Sequence, residues 1–176
     1  CRTGMGSRCL RHWLLTPARA RGQAQARQAA VATLMELGFE PLREALRRVS
    51  DVERSTSRVA LRQVRPRELA GLRDTLAQLP TLQAAVPPGA PLLERLRADL
   101  HTPPQIAELL QAALLEQPAV WLRDGGVIAD GFDAELDELR AISENCDSFL
   151  LDLEQRERAR SGIANLRVQF NKVHGF

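Results

Sequence analysis

At 176 residues, with 44% hydrophobic and 26% charged side chains, the chain can bury a sizeable core and is too apolar to be disordered throughout. Five Phe, two Trp and no Tyr leave that core to Leu, Ala, Val and Ile, a balance that favours helix over sheet. The net charge of +2 hides an asymmetry: residues 1–80 carry 15 Arg against 7 acids, and residues 81–176 carry 9 basic residues against 15 acids.

In chain order, Met5, Cys9, Leu10, Trp13 and Leu14 recur at helical spacing until Thr16-Pro17 closes the segment. A second helix is expected from about Gly22 to Leu37, with Ala26, Ala30, Val31, Leu34 and Met35 as its apolar stripe and Gly38 beyond its end. Shorter helices follow over Pro41–Val49 and over Val52–Leu61, the latter capped by Asp51. Pro66 suits a first helical position, and Leu69, Leu72, Leu76 and Leu79 continue from it until Pro80. Val86-Pro87-Pro88-Gly89-Ala90-Pro91 demands a loop. Helices over Leu92–Leu100 and Ile106–Leu115 complete an expected helical core spanning residues 1–118.

The pattern then changes. Val120-Trp121-Leu122 and Val127-Ile128-Ala129 flank a Gly-rich turn, so a small β-hairpin is expected within a connection over residues 119–132. From Asp133 to Arg160 no Pro or Gly interrupts the helical period of Leu136, Leu139, Ile142, Cys146, Phe149 and Leu153. One helix is expected across residues 133–162, roughly 40 Å long. Past Ser161-Gly162, Leu166, Val168 and Phe170 alternate with polar residues, as in a half-buried strand, and Lys172-Val173-His174-Gly175 offers a turn. Residues 163–176 thus read as the first strand and turn of an incomplete strand pair, and the opening Cys1-Arg2-Thr3 reads as a cut end. The fold class is all-α, with these two small β features added.

Sites are sparse. Cys1, Cys9 and Cys146 are odd in number and lack C-x-x-C spacing, supporting neither a disulfide framework nor zinc and favouring a reducing cytosol. His12, His101 and His174 have no ligands nearby in sequence and read as surface or packing residues, while Trp13 and Trp121 read as core anchors. Asp124-Gly125-Gly126 reads as a turn rather than a phosphate cradle, and no apolar run approaches the roughly 18 residues that would span a membrane. No paired nucleophile and base is visible, so no enzyme activity and no cofactor are expected of this segment itself. Between Asp133 and Glu154 eight acids face the single Arg140, whereas Arg156, Arg158, Arg160, Arg167 and Lys172 follow with only Glu157 among them. A polyanion should avoid the first stretch and approach the second. Arg160, Arg167, Asn171 and Lys172 are therefore candidate DNA-backbone contacts, with charge complementing a helix C-terminus as the plainer role of the arginines.

Several landmarks together resemble the MutS family in the family's own order. Thr3-Gly4-Met5-Gly6-Ser7-Arg8-Cys9-Leu10-Arg11-His12-Trp13-Leu14-Leu15-Thr16-Pro17 is similar to the opening of its core domain, and Asp51-Val52-Glu53-Arg54 to its Asp-Leu-Glu-Arg segment. Arg65-Pro66-Arg67-Glu68-Leu69 continues the likeness. Asp124-Gly125-Gly126-Val127-Ile128-Ala129 through Leu136-Asp137-Glu138-Leu139-Arg140 resembles the run into the lever helix, and Phe170-Asn171-Lys172-Val173-His174-Gly175-Phe176 the first turn of the clamp. The resemblance implies a fragment of a cytoplasmic, nucleoid-associated bacterial protein that recognises mismatched double-stranded DNA. It further implies a homodimer that uses ATP with Mg and recruits a MutL-type repair factor. Neither a Walker A loop nor a Phe-x-Glu triplet occurs here, so the segment is expected to transmit between ATPase and clamp. With the resemblance set aside, the alternative is a helical protein–protein interaction module with no nucleic-acid role.

Overall fold

A computed structural model describes residues 1–168, except for the side chains of Glu144, Cys146 and Asp147; residues 169–176 lie outside it. The described chain is predominantly helical, and its contacts divide it into two units, Cys1–Ala129 and Asp130–Phe176.

The first unit is organised by α5 (Pro66–Ala85), against which α3 (Glu40–Ala45), α4 (Val52–Ala60), α6 (Pro91–Asp99) and α7 (Pro104–Ala113) pack. α1 (Gly4–Leu15) and α2 (Arg21–Leu37) precede them. Ala30, Val86, Ala90 and Leu93 form a buried cluster, flanked by Leu34, Leu42, Leu92 and Leu100. Of the stripe expected on α2, Ala30 is buried and Leu34 packs beside it, whereas Ala26, Val31 and Met35 are exposed, and Val86 and Ala90 come from the stretch expected as a loop. Caps also fall where expected. The Asp51 carboxylate accepts from the Arg54 amide (3.1 Å) at the start of α4, and Gly38 ends α2 at φ 91°. The expected helix over Pro41–Val49 is α3 followed by a 3₁₀ turn, Leu46–Arg48.

α5 runs on from Pro80, where a stop was expected, as far as Ala85. A mid-helix proline leaves the carbonyl four residues earlier without its amide partner. Here that carbonyl is Leu76, and the Thr102 hydroxyl donates to it at 3.2 Å. The substitute donor and the burial of Leu82 carry the helix through. Gly71, on the same helix, lets the chain before α4 approach closely: a Cβ there would meet Ser50 Cβ at 3.3 Å. The Ser50 amide donates to Thr75 Oγ1 (2.9 Å), and both hydroxyls reach the Gly71 carbonyl (2.8 and 2.7 Å). Thr75 is 2% exposed, so these bonds satisfy groups that water cannot reach.

The expected hairpin does not form. Val127–Ala129 pairs instead with the chain after α7, through an antiparallel bridge between Leu114 and Ile128. The Leu115 amide donates to the Val127 carbonyl (3.0 Å) and the Ala129 amide to Ala113 (2.9 Å). Burial selects this pairing: Leu114 and Val127 are buried, whereas Val120, Trp121 and Leu122 are exposed and lead into a 3₁₀ turn, Leu122–Asp124. Arg73 of α5 holds the segment from inside, donating to the carbonyls of Leu115 (2.8 Å) and Glu116 (2.9 Å).

In the second unit the single long helix is replaced by α8 (Ala134–Glu144) and α9 (Cys146–Ser161), interrupted at Asn145 (φ −106°, ψ 26°). The Asn145 side-chain amide donates to the Ala141 carbonyl (3.0 Å), alongside its own backbone N–H (3.0 Å). A short polar side chain that bonds its neighbouring backbone offers an alternative to the helical ladder, and it needs no Pro or Gly to do so. Asp133 caps α8 by accepting from the Leu136 amide (3.0 Å), and Gly162 closes α9 in the left-handed region. Of the expected C-terminal strand, Leu166–Val168 has no strand partner among the described residues, and Phe170 lies outside them.

Candidate nucleic-acid interface

The basic cluster begins in the last turns of α9. The acids and arginines there are spaced to pair along the helix, and two pairs form: Glu154–Arg158 (2.9 Å) and Glu157–Arg160 (2.8 Å). Arg160 remains largely exposed, so it is a candidate contact already sharing its charge with Glu157. Arg158 has a different task. Its Nε donates to the Leu166 carbonyl (2.8 Å), while Glu154 Oε1 accepts from the Val168 amide (2.9 Å). Together the two side chains clip the chain leaving α9 back along the helix and satisfy the backbone groups a strand partner would otherwise take.

Arg156 and Arg167 are exposed and make no ion pair with any described residue. The geometry thus redistributes the expected site. Arg167 stands as an available cation, Arg160 as a partly neutralised one, and Asn171 and Lys172 lie outside the described residues. The clip was only half legible in the sequence: the Glu154–Arg158 spacing signals the ion pair, but nothing there signals the bonds to Leu166 and Val168. Upstream, Arg140 pairs with Asp130 (2.8 Å) and Asp137 (3.2 Å), and the Gly131 amide donates to Asp137 Oδ2 (2.7 Å). The acidic start of α8 is therefore tied into its own capping loop.

Other expected features of the sequence sort themselves by geometry. The tryptophans are not core anchors: Trp13 and Trp121 are 40% and 44% exposed. Each lies under a guanidinium, Arg27 at 3.7 Å from the Trp13 ring centre and Arg65 at 4.5 Å from that of Trp121. His12 and His101 are exposed, as are the free Cys1 and Cys9. Among the described residues no His, Cys, Asp and Glu converge as metal ligands, and no helix is long and apolar enough to cross a membrane. Gly125 and Gly126 take positive φ of 71° and 60°, but the next helix, α8, starts only at Ala134. That turn does not fit a nucleotide phosphate, which needs amides converging at a helix start. A family model described as MutS domain III matches residues 1–174, and the chain belongs to the MutS family of DNA mismatch repair.

Proposed function

We propose that this domain serves mismatch repair as a mechanical link, carrying a nucleotide-dependent change from an ATPase to a clamp that grips duplex DNA. Its role is transmission rather than catalysis. In the longer protein implied by the resemblance, ATP with Mg would be held by other residues. Mismatched DNA, a second copy of the protein and a MutL-type factor would be the partners.

The observation that supports a DNA-facing end is the segregation of charge in the second unit. Acids dominate from Asp133 to Glu154, and Arg156 and Arg167 lie beyond them without ion-pair partners among the described residues. Phosphate contacts give affinity that ignores sequence and falls with salt. The test is duplex binding by the gene product containing this domain, titrated from low to physiological salt. Arg156→Glu with Arg167→Glu should weaken binding at every sequence. The double change should also flatten the salt dependence by about one to two counterions, near one for each phosphate that either arginine neutralises. An unchanged affinity and slope would remove these arginines from the interface and favour a protein-docking role for α8 and α9.

A further inference from the structure

A second cationic feature lies in the first unit, far in sequence from the arginines of α9. α1, α2 and α6 border a cleft of about 530 Å³. Its apolar lining includes Trp13, Ala26, Leu92 and Leu96, and Arg27 and Arg95 supply its charge. Among the described residues neither arginine has an ion-pair partner and no acid lines the cleft. Glu94, the acid adjacent to Arg95, accepts from the Gly89 amide at 3.1 Å. The surroundings deepen the imbalance. From Gly4 to Leu37 the chain carries Arg8, Arg11, Arg19, Arg21 and Arg27 against Glu36 alone, and among the described residues only Arg8 of these is matched by carboxylates, those of Asp51 and Glu53.

The cleft is too confined for the broad phosphate wall of a duplex. It also serves a single strand poorly, because bases need free aromatic faces. Arg27 already covers one face of Trp13, and among the described residues no second aromatic side chain lines the cleft. An apolar floor beside two fork-shaped cations suits a different ligand: an aliphatic side chain held between carboxylates. Exposed Trp and Arg side by side also match the residue types that anchor protein interfaces. We propose that this cleft docks an acidic segment of a partner protein, with an apolar side chain against Leu92 and Leu96 and its flanking Asp or Glu carboxylates on Arg27 and Arg95.

Gly22 offers a clean way to close the cleft. It lines the opening in the first turn of α2, and nothing lies within 4 Å of the position a Cβ would take. Gly22→Leu therefore starts from an unhindered Cβ and sets an aliphatic side chain at the cleft, and Arg95→Glu reverses charge at an exposed position. The probe is a fluorescein-labelled peptide of alternating Glu and Leu, followed by anisotropy with the full chain; its Gln-for-Glu counterpart is the control. Saturable binding is expected, weakened about tenfold or more by each substitution and by the control peptide, with far-UV circular dichroism unchanged. Should Arg95→Glu disturb the fold, Gly22→Leu and the Gln peptide still decide the matter. Binding that both variants leave intact would overturn the assignment. So would equal affinity for the Gln peptide, or a short oligonucleotide that outcompetes the acidic peptide and is itself lost in Gly22→Leu.

Discussion

Arg73 is 7% exposed, and its only acidic partner among the described residues, Asp74, lies mostly in solvent. The charge is tolerated because each nitrogen of its planar fork is bonded: Nε to Asp74 (2.9 Å), and the two terminal nitrogens to the Leu115 and Glu116 carbonyls. Arg73→Met keeps the bulk but strands both carbonyls, at a cost of about 3 kcal/mol in urea-induced unfolding. Arg73→Lys should recover less than half of this, since one ammonium cannot reproduce the fork; full recovery would mean that charge alone matters. Nothing in the sequence singled out this arginine from the many others that precede Pro80, because its carbonyl partners follow α7, far along the chain. The Asp51 cap was legible, since its partner Arg54 is a near neighbour in the first turn of α4.

Helices were legible in the sequence wherever apolar period and local caps agreed, as in α1, α2 and α4. They were misjudged where one side chain altered the ladder. In α5 the decisive group is the Thr102 hydroxyl, which lies beyond the whole of α6 from the proline it compensates. Thr102→Val should cost about 1 kcal/mol by leaving the Leu76 carbonyl bare, and much less in a Pro80→Ala background, where the helix supplies its own donor. A double-mutant cycle in chemical denaturation reads the difference, and equal costs in both backgrounds would sever the two residues. At Asn145 the effect runs the other way: its amide and carbonyl keep their helical partners, Ala141 and Phe149, but the backbone leaves helical geometry where the side chain bonds the same Ala141 carbonyl. Asn145→Ala removes that bond and favours helix by about 0.5 kcal/mol. Spin labels at Glu138 and Gln155, both exposed, can follow the outcome. Their distance distribution should then shift toward roughly 26 Å, the axial rise of continuous helix between the two positions at about 1.5 Å per residue. A distribution unchanged from the parent would place the cause of the break elsewhere.

At the scale of the molecule, the first unit is assembled from helices tied by carboxylates, and this makes it sensitive to acid. Arg8 joins α1 to α4 by bonding both oxygens of Asp51 (2.7 and 2.8 Å) and Glu53 (2.7 Å), and its guanidinium holds the Asp51 carboxyl down to about 2. Between α4 and α5, burial pushes the Glu68 carboxyl up, but the Arg65 amide and the Arg58 guanidinium (2.7 Å) outweigh it and leave it lowered. A carboxyl lowered by folding binds its proton less readily in the native state. Its contribution is therefore complete above the ordinary value near 4 and disappears as pH falls toward 2. Both tryptophans belong to this unit, so their fluorescence reports its unfolding. In urea titrations at pH 7, 4, 3 and 2, Arg8→Gln should lower stability at neutral pH, and the gap from the parent should shrink through pH 4 to 2 as Asp51 is protonated in both. Because these groups are largely solvated, the gap should also narrow in high salt. A gap that persists at pH 2 would mean that Arg8 acts through packing of its aliphatic stem, and that the ion pairs add little to holding α1 in place.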